Sequence, residues 1–271
     1  MTGDQRGAGD DPATTETARA DERQKRVSLS GMPLRAMVPN TLTLIALSAG
    51  VTSIRFAIEQ EWERAALAIV VAGIIDGFDG AVARLLKGTT RFGAELDSLA
   101  DMTNFGVAPA LVIYLWALES LGRIGWVIAL AYVVGCALRL ARFNAQVDMQ
   151  NQPHKRAGFL TGVPAPVAAG LALFPLFVDL TNMGHDLRSP EIVALQIALV
   201  TLLMVSSVPT FSFRAFRIRR GARIAALGLV GLLIAMLLSF PWATLSAISL
   251  AYLCSMPVSW VRYRRRKART F

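Results

Sequence analysis

The amino-acid sequence predicts an all-α, polytopic membrane helical bundle with an even number of spans, most simply eight. Three observations carry that prediction. Hydrophobic residues fill 54% of the 271 positions and charged residues only 17%, against about a quarter charged in average globular chains. The mean hydropathy is +0.47, and the apolar residues gather into runs of the ~20 residues that a helix needs to cross a hydrocarbon core. Lys and Arg crowd every second connection between those runs. Such a composition excludes a disordered chain and a disulfide-stapled secreted domain. Cys136 and Cys254, both inside apolar runs, make neither a metal framework nor a disulfide pattern. A net charge of +9 would suggest a nucleic-acid partner in a soluble protein, but its distribution here assigns it to membrane topology, and no nucleic-acid partner is expected.

Residues 1–32 are rich in Thr, Ala, Gly, Asp, Glu and Arg. They have neither apolar periodicity nor the apolar core of a signal peptide, and read as a disordered cytoplasmic tail. Pro33, Pro39 and Asn40 then lead into the first apolar run. Spans are expected at 41–58, 64–86, 93–118, 124–144, 162–181, 190–208, 222–240 and 242–260. A polar loop, Gln146 to Gly158, joins the fourth and fifth. Only Phe240 and Pro241 separate the last two, which should form a helical hairpin.

The basic residues give the orientation. One face collects 24 of them: six before the first span, three around the second connection (Arg84, Lys87, Arg91), four around the fourth (Arg139, Arg142, Lys155, Arg156), five around the sixth (Arg214 to Arg223) and six in the C-terminal run Arg262 to Arg269. The other face has four, Arg55, Arg64, Arg123 and Arg188. The positive-inside rule makes the richer face cytoplasmic, so both termini lie there, in the inner (cytoplasmic) membrane. The C-terminal run reads as a juxtamembrane anchor for anionic lipids.

Against this background the acids of the second and third spans stand out. An ionised side chain near mid-bilayer costs about 2.5–3.5 kcal/mol on insertion scales. Asp76 and Asp79 are three residues apart and Asp97 and Asp101 four apart, so each pair projects from one helix face, and the short connection between the spans lets all four carboxylates converge. Asp79 lies about 12 Å of helix before Lys87, in the cytoplasmic half of the bilayer. Like charges this close either protonate or share a cation. Oxygen ligands without nearby His or Cys select Mg2+ or Mn2+, and two such ions would offset four carboxylates and present a positive surface to phosphate. Salt bridges to Arg84 and Arg91 would account for one aspartate, not for four on two faces. Of the small residues around the acids, Gly73, Gly77 and Ala81 fit either helix packing or ligand access, whereas Gly80 and Gly93 are expected to leave room for a ligand.

The run Asp76-Gly77-Phe78-Asp79-Gly80-Ala81-Val82-Ala83-Arg84, followed by Gly93, Asp97 and Asp101 at fixed spacing, resembles the signature of the CDP-alcohol phosphatidyltransferases in every fixed position. Further segments resemble one branch of that family, the membrane-type phosphatidylserine synthases: Pro39 to Thr43, Phe92 to Asp101 with Phe105 to Pro109, Arg139 to Asn144, and Gly158 to Pro166. The resemblance runs from about Pro33 to Arg214. It implies a six-helix catalytic core, usually homodimeric, that moves the phosphatidyl group of CDP-diacylglycerol to an alcohol, here L-serine, and releases CMP. The chain then divides into the tail (1–32), the catalytic membrane core (33–214), a C-terminal transmembrane hairpin (215–261) and a basic cytoplasmic tail (262–271). The resemblance also implies that Asp76, Asp79, Asp97 and Asp101 hold two metal ions, with Asp101 as general base. Pro39, Asn40, Thr41, Leu42, Gly80, Ala83, Arg84, Thr90 and Gly93 match positions that hold CDP-diacylglycerol.

Arg139, Arg142 and Asn144, at the cytoplasmic end of the fourth span, fit either positive-inside anchoring or a pocket for the serine carboxylate, which a bidentate arginine suits. Lys155 and Arg156 fit solvated loop charges or recruitment of the anionic donor lipid, and His154 and His185 receive no role. Glycerol 3-phosphate, inositol or choline are the alternative acceptors. A carboxylate-lined cation carrier is the alternative of another class, but such sites lie near the midplane on broken helices, and these acids do not.

Overall fold

The computed structural model describes residues 34–86, 88, 90–147, 159–181, 187–206, 209–211 and 223–267. The N-terminal tail, Lys87, the loop carrying His154, Lys155 and Arg156, His185 and the basic group from Arg214 to Arg220 lie outside the described residues. So do the side chains of the C-terminal basic run.

Each expected span has a helical counterpart. Helices α1 (Arg35–Ile58, extended by one residue to Leu34), α2 (Trp62–Leu85), α3 (Arg91–Trp116) and α4 (Arg123–Val147) are long and apolar enough to cross a membrane. They are followed by β1 (Phe159–Thr161), α5 (Ala165–Ala172), α6 (Phe174–Asp179), α7 (Pro190–Val205), β2 (Pro209–Phe211), α8 (Arg223–Ser239) and α9 (Pro241–Lys267). The protein is a polytopic helical membrane protein. The four sparse basic residues fall at one end of the bundle: Arg55 and Arg64 flank the α1–α2 turn, Arg123 opens α4 and Arg188 precedes α7. There Arg55 pairs with Glu59 at 2.9 Å and Arg64 with Glu61 at 2.6 Å.

The structure departs from the sequence reading in four places. First, α1 begins seven residues before position 41, with Pro39 inside it; the proline costs the helix the bond from position 39 to the Arg35 carbonyl. Second, the fifth span is broken, because Pro175 at the start of α6 gives no N–H back to Leu171 and the chain steps from α5 to α6 at Leu173. Third, β1 and β2 pair antiparallel, Leu160 opposite Thr210, so two short strands accompany the helices. Fourth, α1 takes part in the acid site: α2 and α3 are neighbours as expected, meeting along residues 102–116 of α3, and α1 packs along α2 and on the acid-bearing half of α3 as well.

The core lies deeper, where the second half of α3 (Val112, Ile113, Trp116) meets α4 (Tyr132, Cys136), α5 and α6 (Leu171, Leu176, Phe177) and α7. On α7 the buried residues Val193, Ile197, Val200 and Met204 follow helical spacing, while Leu195 and Leu202 on the opposite side are 74% and 69% exposed. A helix that is apolar all round but packed on one side only presents the other side to lipid. α9 is tied into the bundle. Its Trp242 stacks on Phe177 with centroids 6.0 Å apart and donates its indole N–H to Glu63 at 3.3 Å, and Ser249 donates to the Gly170 carbonyl at 3.4 Å. α8 meets α9 and keeps Leu227 and Leu238 exposed, as is Phe240 between the two helices.

Gly162, after β1, has φ +76°, and a Cβ there would meet the Met204 and Ser206 carbonyls and the Arg142 guanidinium at 2.8–2.9 Å. A left-handed conformation costs a residue with a Cβ about 1–2 kcal/mol, and the crowding adds to that. Gly162→Ala is therefore expected to lower the thermal midpoint of the detergent-solubilised protein by several degrees. A midpoint equal to wild type would contradict this packing.

Candidate active site

The site is built where α1, α2 and α3 meet at the end of the bundle opposite the Arg55–Glu59 and Arg64–Glu61 pairs. Asp76 on α2 and Asp97 and Asp101 on α3 each bring a carboxylate oxygen within 4.8 Å of the others. The helical spacings account for it: α2 turns Asp76 toward α3, and Asp97 and Asp101 stand one above the other on the facing side. Asp76 Oδ1 is buried and has no hydrogen-bond partner. Among the described residues no ion pair joins these acids to Arg84 or Arg91. Arg139 on α4 lies within electrostatic reach of Asp101.

Asp79, one turn from Asp76, is not among the three whose oxygens lie within 4.8 Å of one another, but it lines the same hollow as Asp97 and is 3% exposed. The Thr43 hydroxyl on α1 lies 2.7 Å from its Oδ2 and donates to it. Asp79 and Asp97 face a hollow of about 190 Å³ between the helices, lined also by Pro39, Asn40, Thr43, Gly80, Ala83, Gly88, Thr90, Gly93 and Ala94. Ligand pockets commonly measure about 300–1,000 Å³, so this open hollow accepts part of a large ligand and leaves the rest outside.

Close backbone approach shapes the hollow. Pro39 has no N–H to give to the Arg35 carbonyl, and it is against that carbonyl that Gly88 packs: a Cβ on Gly88 would collide with it. Thr90 caps α3, its hydroxyl accepting the Gly93 N–H at 3.0 Å. A Cβ on Gly93 would come to 2.6 Å from Asn40 Oδ1. At Gly77 and Gly80 a Cβ would meet nothing within 4 Å, which fits ligand access at Gly80 and speaks against packing at Gly77; Gly73 does pack, on Phe105.

Of the residues that the signature singled out, the hollow gathers Pro39, Asn40, Gly80, Ala83, Thr90 and Gly93. It does not gather Thr41, whose exposed hydroxyl donates to the Met37 carbonyl at 2.9 Å, nor Leu42, nor Arg84, whose exposed guanidinium donates to the Gly80 carbonyl at 2.9 Å. Thr43, Gly88 and Ala94 are the additions. Thr43 was findable, since it stands one helical turn after Pro39; Gly88 carries no signal beyond being a glycine in a short connection. On α4, Asn144 donates to the Ser98 hydroxyl at 3.0 Å, beside Asp97. Arg142 donates to the Val205 carbonyl at 2.9 Å and to those of Met204 and Ser206 at 3.3 Å, capping the C-terminus of α7 in the manner of a basic residue at a helix end. The Arg139 Nε is buried without a partner.

A family model described as CDP-alcohol phosphatidyltransferase matches residues 36–204. The chain belongs to that family. A second model, CDP-alcohol phosphatidyltransferase 2, matches residues 223–257, which are α8 and most of α9. Among relatives of this CDP-alcohol phosphatidyltransferase, the CDP-diacylglycerol-serine O-phosphatidyltransferase of Mycobacterium tuberculosis is 36% identical over 230 residues, 84% of this chain and 79% of the relative. The enzyme of the same name from Helicobacter pylori is 35% identical over 187 residues, 68% of this chain and 76% of its own. The archaetidylserine synthase of Methanothermobacter thermautotrophicus is 32% identical over 177 residues, 63% and 68% of the two chains.

A hydrogen bond to a charged group contributes about 1.5–3 kcal/mol, and the Thr43 hydroxyl holds Asp79 at the edge of the hollow. Thr43→Val, which keeps the shape and removes the hydroxyl, should lower kcat/KM for the family's CDP-lipid substrate about ten- to a hundredfold in a CMP-release assay and lower the thermal midpoint by a few degrees. Activity equal to wild type would remove Thr43 from the site.

Proposed function

We propose that the protein transfers the phosphatidyl group of CDP-diacylglycerol to L-serine, forming phosphatidylserine and CMP for phospholipid synthesis. The observation that carries this reading is the convergence of Asp76, Asp97 and Asp101 beside the hollow, in a chain whose relatives along most of their length bear the name of that reaction. Orientation of both termini toward the cytoplasm in the inner membrane, with the site on the cytoplasmic side, follows from the asymmetry of Lys and Arg. A homodimer and contacts with anionic lipid complete the proposal.

The donor set fits a divalent cation: three converging carboxylates, no His or Cys among them, and a buried Asp76 oxygen without a hydrogen bond. Asp76, Asp79, Asp97 and Asp101 would hold Mg2+ or Mn2+, as two ions. Bound there, the metal supplies positive charge to the pyrophosphate and to the leaving phosphate. The chain's own residues do the rest. Asn40, Thr90, the small side chain of Ala83 and the bare backbone at Gly80 and Gly93 admit the CDP moiety, and Arg84 at the rim meets its phosphates. Asp101 accepts the proton of the serine hydroxyl. The serine oxygen forms a bond to the phosphorus that carries diacylglycerol, the bond from that phosphorus to the bridging oxygen breaks, and CMP departs with the electron pair. Such a base contributes about 10²–10⁴ in rate. Arg139, near Asp101, and Asn144, beside Asp97, would receive the amino-acid end of serine, its carboxylate on the guanidinium, while Arg142 secures α7.

The test is to give purified protein CDP-diacylglycerol, Mg2+ or Mn2+ and a panel of serine, glycerol 3-phosphate, inositol and choline, and to follow CMP. Release with serine is expected, and release with another alcohol but none with serine would overturn the acceptor assignment. Asp101→Asn should retain CDP-diacylglycerol binding and lose at least a hundredfold in kcat; undiminished turnover would remove Asp101 as the base.

A further inference from the structure

The α3 helix is not uniform. Arg91–Asp101 is α-helical, Met102–Val107 is a π-helical turn, and α-helix resumes at Ala108. The cause is local: Pro109 has no N–H for the Phe105 carbonyl four residues back, and its ring crowds that carbonyl, so the helix widens. A wide turn absorbs one extra residue, a rotation of about 100°, between the half of α3 that carries Asp97 and Asp101 and the half anchored in the core by Val112, Ile113 and Trp116.

One side chain answers the widened turn. Tyr132 on α4 is fully buried, and its hydroxyl donates to the Phe105 carbonyl at 2.9 Å. One turn along the same face, Cys136 lies against Gly106, where a Cβ would come within 3.2 Å of its sulfur. Arg139, seven residues from Tyr132, reaches toward Asp101. The face of α4 that holds the wide turn is thus the face that serves the acids.

We infer that Tyr132 is a positioning residue: by holding the Phe105 carbonyl, its hydroxyl fixes the wide turn and with it the rotation that aims Asp101 at Asp76. It touches neither the hollow nor the carboxylates and acts through the backbone. The inference rests on the proposed transferase reading for its kinetic arm and is independent of that reading for its structural arm.

Tyr132→Phe keeps the ring packing and removes the donor. In the CMP-release assay kcat should fall about ten- to a hundredfold, as a misplaced reacting group does, while KM for CDP-diacylglycerol stays within about twofold, because the hollow is built by other residues. Hydrogen exchange in the variant should rise across residues 102–107 and remain unchanged across 108–116. A kcat equal to wild type, or a loss shared equally by kcat, CDP-diacylglycerol binding and thermal midpoint, would overturn the positioning role. Pro109→Ala, which restores the N–H and lets the helix narrow, is the second variant should Tyr132→Phe fail to fold, with the same expected split between kcat and KM. If wild type releases no CMP with any alcohol, the functional reading fails, and the exchange difference alone then upholds or overturns the role of Tyr132.

Discussion

Three carboxyl groups held within 4.8 Å of one another inside a membrane bundle are the constraint on which the rest of this architecture turns. In a low-dielectric surrounding each charge costs several kcal/mol to insert, and bringing them together adds repulsion that must be offset by a proton or a cation. The fold meets this with geometry, since no arginine pairs with the cluster among the described residues. α1 packs against both acid helices beside the hollow, Thr43 ties back Asp79, and small residues line the walls. The Asp76 oxygen without a hydrogen bond is the part of the cluster that fits the proposed cation.

That cluster has to be carried by a scaffold that is stable without it. The burial is concentrated at the other end of the bundle, in the second half of α3 with α4 to α7, and α9 is fastened to the same core through Trp242 and Ser249. The two regions are joined by the wide turn of α3 and by the face of α4 that runs from Tyr132 to Arg139. A rigid core and an acid cluster that share one helix can keep a fixed mutual rotation only if the helix between them is itself held.

Much of this was legible beforehand. Apolar runs separated by basic connections read directly as spans, because bilayer thickness fixes their length. The four aspartates were legible for the converse reason: a side chain that a membrane disfavours stands out against 54% hydrophobic residues. The signature named more residues than the hollow uses. Thr41 and Leu42 follow Asn40 in sequence, but successive residues on a helix turn by about 100°, so they leave the face that Pro39, Asn40 and Thr43 share. The break between α5 and α6 and the π turn of α3 each follow from a proline, yet a proline at the head of a membrane helix is also compatible with an unbroken span when neighbours satisfy the carbonyl.

The sequence by itself therefore determined the class of the protein and the carboxylates at its centre, since these depend on composition and on spacing along one helix at a time. The tertiary structure alone decided which of those residues share a space. That Thr43 holds Asp79, that Gly88 closes on the Arg35 carbonyl, that Arg142 caps α7 and that Tyr132 reaches the Phe105 carbonyl are contacts between distant segments. Their physical basis is packing between helices, whose mutual rotation is set by the sum of small side-chain fits rather than by any single residue pattern.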